Sequence, residues 1–139
     1  MIEGHCLCGA VTIRAEHHTP EVSACHCEMC RRWTGGVYVM FKAPAVGTMI
    51  DGPVATYRSS PFAQRAFCGT CGSPLWLRDD DDPDYELMPG LFEAARDFPL
   101  TSEVYADRAM TCLRLSGDHT RTTRAAYEAA HPHVAEDVR

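Results

Sequence analysis

The sequence predicts a mainly β protein: antiparallel sheets of short strands, with one short C-terminal helix. Three observations carry this expectation. Short runs of branched and aromatic residues recur along the chain. Clusters of Gly, Pro and Asp interrupt them at close intervals, as turns between antiparallel neighbours do. Only the last stretch, GDHTRTTRAAYEAAHPHVAEDVR, switches to good helix formers.

The elements follow in order. AVTIRAE alternates apolar Val11, Ile13 and Ala15 with Thr12, Arg14 and Glu16, the period of a half-buried strand. VYVMF (37–41) and TMI (48–50) read as strands, with Pro44 and the Asp51-Gly52-Pro53 turn as breaks. ATYRSS, QRAFC, PLWLR, YELM and SEVY supply further strands. RDDDDPD (78–84) reads as a solvated acidic turn, because it lacks the spaced ligands and closing glutamate of a calcium loop. Near the end a threonine can cap a single helix that Pro132 terminates, leaving a frayed tail and solvated Arg121 and Arg124.

The 139 residues suit one domain with a modest core. Thirteen basic against 19 acidic residues give a formal net charge of −6, which argues against nucleic acid as a partner. The opening MIEGHCLCGAVTIRAE lacks the apolar run of a signal peptide, and no stretch approaches the roughly 20 apolar residues of a membrane span. These features predict a cytoplasmic protein with no membrane partner. Its oligomeric state is not legible.

In that compartment clustered cysteines point to metal or catalysis before disulfides. The eight cysteines fall into four groups: Cys6 and Cys8; Cys25, Cys27 and Cys30; Cys68 and Cys71; and Cys112. CGTCG (68–72) is a metal knuckle, with Gly69 and Gly72 relieving the backbone. CLCG (6–9) supplies a second pair, whose side chains share one face if the chain is extended. Cys6, Cys8, Cys68 and Cys71 together complete a tetrahedron, the pattern of structural zinc, although ligand type alone also admits iron.

Cys25, Cys27 and Cys30 remain. Three thiolates leave one coordination position open, as catalytic metals require. Competing readings stand beside this one. Cys112, His5, His17, His18 or His26 could close the site, His26 least readily because it lies between two ligands. Cys27 and Cys30 could form a redox pair with Cys25 incidental. Cys112 itself reads as a small buried apolar residue.

CLCGAV, then CHCEMCRRWTG, then CGTCGSPLW, in this order and spacing, resembles the glutathione-dependent formaldehyde-activating enzyme family, which includes centromere protein V-like domains. The resemblance spans roughly residues 2–115. It implies an Mss4-like β-tent around zinc, with residues 1–115 as the zinc-binding domain and 116–139 as its C-terminal helix and tail. It implies structural zinc on Cys6, Cys8, Cys68 and Cys71, and a second, labile catalytic zinc on Cys25, Cys27 and Cys30. The implied activity is that of a carbon–sulfur lyase joining glutathione to formaldehyde as S-(hydroxymethyl)glutathione. One departure stands out: DRAMTCLRLSG lacks the tryptophan that many members carry there.

If the substrate is a glutathione-like thiol with an aldehyde, its carboxylates need a cation near the metal. Arg31 and Arg32 directly follow the third cysteine and offer a bidentate clamp; a solvated pair is the competing reading. Trp33 reads as a core or pocket-wall residue, and Thr34-Gly35-Gly36 as a turn entering the next strand. A second class of function also fits an Mss4-like fold: a non-catalytic, zinc-stabilised module that binds another protein.

Overall fold

The alternation at residues 11–16 becomes a strand with Ile13 and Ala15 fully buried and Thr12 and Arg14 turned to solvent. Around it the computed structural model describes residues 1–135 as two compact units, one of residues 1–22 and 40–99, the other of residues 23–39 and the chain from Leu100 onward. The architecture is mainly β with short C-terminal helices, as expected.

The first unit contains two sheets. β1 (Ile2–His5), β2 (Thr12–Ala15) and β5 (Thr48–Asp51) form an antiparallel sheet with β2 in the middle. The second runs β4 (Tyr38–Pro44), β9 (Asp84–Leu87), β8 (Pro74–Asp79), β7 (Ala63–Cys68) and β6 (Val54–Ser60), each antiparallel to its neighbour. Buried Phe41 anchors the apolar interior. Its ring meets Phe92 edge-on at 5.1 Å and Phe98 at 5.7 Å, while Leu75 and Leu87 are fully enclosed. Edge-to-face packing of this kind adds to what burial alone contributes.

The acidic turn is pinned rather than merely solvated. Arg58 donates to Asp80 at 2.9 Å, and Lys42 Nζ to Asp82 at 2.7 Å. Each pair neutralises part of a negative run that would otherwise repel itself.

In the second unit, β10 (Leu100–Val104) lies between β3 (Val22–Cys25) and β11 (Thr120–Thr122). β10 and β11 run parallel, with Glu103 opposite Arg121, a parallel pair within a mainly antiparallel architecture. Parallel neighbours need a long crossover, and residues 105–119 supply it as loop and short 3₁₀ turns.

α1 (Glu28–Thr34) occupies the cysteine segment itself. Thr34-Gly35 is therefore a helix end, with Gly35 at φ 87° as its left-handed cap, rather than a plain turn into a strand. Trp33 is half-buried against Tyr38, ring centroids 5.5 Å apart, which suits a wall residue. Thr123 caps α2 (Arg124–Ala130), its hydroxyl accepting from the Ala126 amide at 3.2 Å. Helix α2 ends before Pro132 as expected, but Pro132 then opens a second short helix, α3 (Pro132–Ala135), in the role proline favours at a first turn. The remainder of the expected tail lies outside the described residues. Among the described residues no helix is long and apolar enough to cross a membrane.

Candidate metal centres

Two hairpin-like turns build the first centre, entirely within the first unit. Cys6 follows the last residue of β1, and its amide bonds the Val11 carbonyl at 3.0 Å while Gly9 closes back onto the Cys6 carbonyl. The Cys6–Cys8 pair thus converges through a turn, correcting the extended geometry expected from the sequence. Cys68 ends β7, and Cys71 lies in the turn before β8. Gly9 and Gly72 each follow the second cysteine of a pair and adopt φ of +79° and +77°. A side chain at Gly72 would meet nothing within 4 Å, so dihedral strain is the only objection to one. Gly72→Ala should therefore cost about 1–2 kcal/mol, read as a lower urea midpoint, with Gly72→Asn losing less; equal losses would contradict this.

The four sulfurs lie within 4.8 Å of one another. Cys6 and Cys8 are 3.6 Å apart and Cys8 and Cys68 3.9 Å, far beyond the ~2.05 Å of a disulfide. A tetrahedral ion with bonds of ~2.3 Å to sulfur requires edges of ~3.8 Å, so the geometry fits one. Backbone amides already face the sulfurs: Val11 donates to Cys6 at 3.2 Å, and Thr70 and Cys71 to Cys68 at 3.4 and 3.5 Å. The thiols cannot all ionise together without a cation. The Ser73 hydroxyl and amide bring Cys71 down to about 5. At Cys8 the Ala10 amide favours the thiolate, but burial and the crowding of Cys6, Cys71 and Cys68 prevail and push it up to about 11. A divalent ion would resolve that frustration.

The second centre lies wholly in the second unit. Cys25 ends β3, Cys27 caps α1, and Cys30 is the buried residue of that helix. The Cys27 sulfur accepts from the Cys30 amide at 3.4 Å, as a serine oxygen would at a helix start. The three sulfurs lie within 4.8 Å of one another, so Cys25 is a full member and not incidental to a Cys27–Cys30 pair. Contact with Cys27 and Cys30, followed by burial, holds the Cys25 thiol well above its ordinary range. Among the described residues no fourth metal-ligating side chain joins this group.

The remaining candidates are engaged elsewhere or stand apart. His26 is buried and turns its Nε2 to Glu103 Oε1 at 2.6 Å. His5 Nδ1 bonds the Cys6 carbonyl at 2.8 Å, His18 stacks on Phe98, and His17 is exposed. Cys112 is exposed on a 3₁₀ turn, which corrects the expectation of a buried apolar residue; that turn puts it on the surface. All eight cysteines are free. Arg32 is 66% exposed and reaches back one helical turn to Glu28 at 3.2 Å, whereas Arg31 makes no ion pair among the described residues.

Sequence reasoning missed two neighbours of the three-cysteine centre. Tyr105 is buried at φ 55°, a left-handed conformation unusual for an aromatic residue. Its hydroxyl donates to Glu128 Oε1 at 3.3 Å. Burial raises its phenol above the ordinary range, and the negative charges of Glu128, Cys27 and Cys25 add to the effect. Glu103 is buried with His26, His119 and Arg121 around it. Burial alone would raise its carboxyl, but the His119 and His26 bonds outweigh this and lower it. The sequence offered only a faint signal: a strand over SEVY would put Glu103 and Tyr105 on one face. Arg121 and Arg124, read as solvated, are held by the Leu115 and Gly117 carbonyls and by Glu128.

Fold and site together define a mainly β protein with two cysteine clusters, each shaped to hold a metal ion. The chain belongs to the glutathione-dependent formaldehyde-activating enzyme family, which it matches over residues 1–108. It is 31% identical over 112 residues to a Schizosaccharomyces pombe protein described as an uncharacterized lyase, covering 79% of this chain and 82% of that one. It is 32% identical over 95 residues to a Halomonas elongata protein that bears the family's name, covering 60% of each. A crystal structure of a Rhodobacter sphaeroides protein aligns with 72% of this chain and 100% of its own, at a TM-score of 0.57 and 22% identity; this likeness concerns the fold alone.

Proposed function

We propose that the protein is a zinc-dependent carbon–sulfur lyase that joins a glutathione-like thiol to an aldehyde and cleaves the same adduct in reverse, in the manner of an S-(hydroxymethyl)glutathione synthase. The observation that carries this reading is the convergence of only three sulfurs, Cys25, Cys27 and Cys30. These would hold the labile zinc, and Cys6, Cys8, Cys68 and Cys71 the structural one. Zinc bound by three thiolates offers an open position that lowers the pKa of an incoming thiol. Because both centres need reduced cysteines, the reading places the protein in the cytoplasm.

The chain's own groups do the rest. Arg31 clamps a substrate carboxylate, while Arg32 is held by Glu28. As the thiolate sulfur bonds the carbonyl carbon, the carbonyl π pair moves to oxygen, which needs a proton. That proton is the one the thiol gave up on ionising, returned through solvent. The reverse reaction returns that proton as the carbon–sulfur bond breaks. Arg31→Ala should raise KM for the thiol about tenfold with little change in kcat. Steady-state kinetics in which kcat falls and KM is kept would refute this role.

The function itself is tested by exchange NMR of glutathione with formaldehyde. Catalysed exchange that disappears in Cys27→Ser is expected; exchange at the spontaneous rate would sink the proposal. Cobalt in the three-cysteine centre separates the reading from a protein-binding module, which has no reason to show a spectral response to glutathione.

A further inference from the structure

We infer that Glu103 is a positioning residue for the three-cysteine centre, and that the chain's ending, beyond the family-matched residues 1–108, supplies the partners that hold it in place. The inference rests on the reading of Cys25, Cys27 and Cys30 as a metal centre.

His26 separates two of those cysteines, so its conformation sets where both flanking sulfurs can go. It is tethered twice to β10. Its amide donates to the Val104 carbonyl at 3.1 Å, and its ring Nε2 meets Glu103 Oε1 at 2.6 Å. Its Nδ1 is buried with no hydrogen-bond partner in the structure, so Glu103 is the ring's polar tether among the described residues. With peptide and ring both fixed, the Cys25-His26-Cys27 segment loses the freedom that would let its sulfurs drift.

Glu103 is fixed in turn from the other side. Its Oε2 faces His119 Nε2 and takes Arg121 Nε at 3.2 Å, both from the strand β11 region. The parallel register of β10 and β11 brings Arg121 opposite Glu103. The side chains of His26, Glu103 and His119 are 1%, 4% and 4% exposed. Apolar residues of similar volume often fill such a space without loss of stability. What a carboxylate between two imidazoles and a guanidinium adds is direction. The same ending also holds the segment that follows β10: Asp107 accepts from the Arg124 amide at 2.7 Å, and Glu128 holds Tyr105. Outer partners that orient ligands tune metal affinity about 10- to 100-fold when removed.

The test uses the full-length chain under reducing conditions, titrated with zinc against a chromophoric chelator and, separately, with cobalt. Wild type, Glu103→Gln, Glu103→Asp and Arg121→Gln are compared, and the four-cysteine centre in each molecule serves as internal reference. Glu103→Gln should weaken the three-cysteine ion about 10- to 100-fold and shift its cobalt spectrum, while the other ion is unchanged. Glu103→Asp should recover part of the loss. Arg121→Gln, at a residue 41% exposed, should remain folded and lose about tenfold; it decides the matter if Glu103→Gln does not fold. A merely structural role would lower thermal stability without changing the ratio of the two affinities. Two ions in the wild type with that ratio unchanged in the variants would overturn the inference alone. One ion in the wild type would overturn the underlying reading, and the inference with it.

Discussion

Cys68→Ser is expected to unfold the first unit. Cys68 is 1% exposed at the end of β7, where it pairs with Val54 in the strand register and draws the Thr70 and Cys71 amides onto its sulfur. Serine keeps a polar atom there but is a poor zinc ligand, so the four-thiolate set falls to three. Structural zinc of this type contributes roughly 10–16 kcal/mol of apparent binding free energy, which is also folding free energy. A domain's whole stability is about 5–15 kcal/mol. The loss is thus as large as the margin. Circular dichroism should lose most of the strand signal, and a chelator should do the same to the wild type over time. A Cys68→Ser protein with a wild-type spectrum and a cooperative melt would refute a folding role for this centre.

Cys27→Ser should have the opposite character: near-complete loss of activity with the fold retained. Cys27 is the N-cap of α1, and its sulfur performs the cap's hydrogen bond to Cys30 N. Serine is among the best residues for that position, so the substitution preserves the helix while removing one of three metal ligands. The thermal midpoint should move by only a few degrees, metal content should fall by about one ion per chain, and exchange between glutathione and formaldehyde should return to its spontaneous rate. The pair of variants thereby separates the two centres. If Cys27→Ser unfolded the protein and Cys68→Ser did not, the roles assigned to them would be reversed.

How much of this was legible in the sequence depends on which signal each residue carries. Strands with clear alternation or branched residues, such as VYVMF and PLWLR, appear where expected. β1 is short and carries Gly4, where a side chain would collide with Phe92 and the Leu91 carbonyl, so its apolar pattern is broken by packing demands. β3 merges into the cysteine cluster, and β11 is only three residues long. α1 was hidden because its cap is a cysteine, a residue whose spacing speaks first of metal. The grouping of seven cysteines into four and three was readable because ligand chemistry demands neighbours at short range. The His26–Glu103–His119 contacts were not, because they join residues far apart in sequence. Only the shared face of Glu103 and Tyr105 in a strand over SEVY hinted at them.

The most direct test of one sealed and one open centre is zinc-edge X-ray absorption of the fully loaded protein, before and after glutathione is added. Four and three sulfurs on two ions should average about 3.5 per zinc, rising to about 4 once the outside thiol occupies the vacant position. An average already at four without glutathione, or one that the thiol leaves unchanged, would contradict the account.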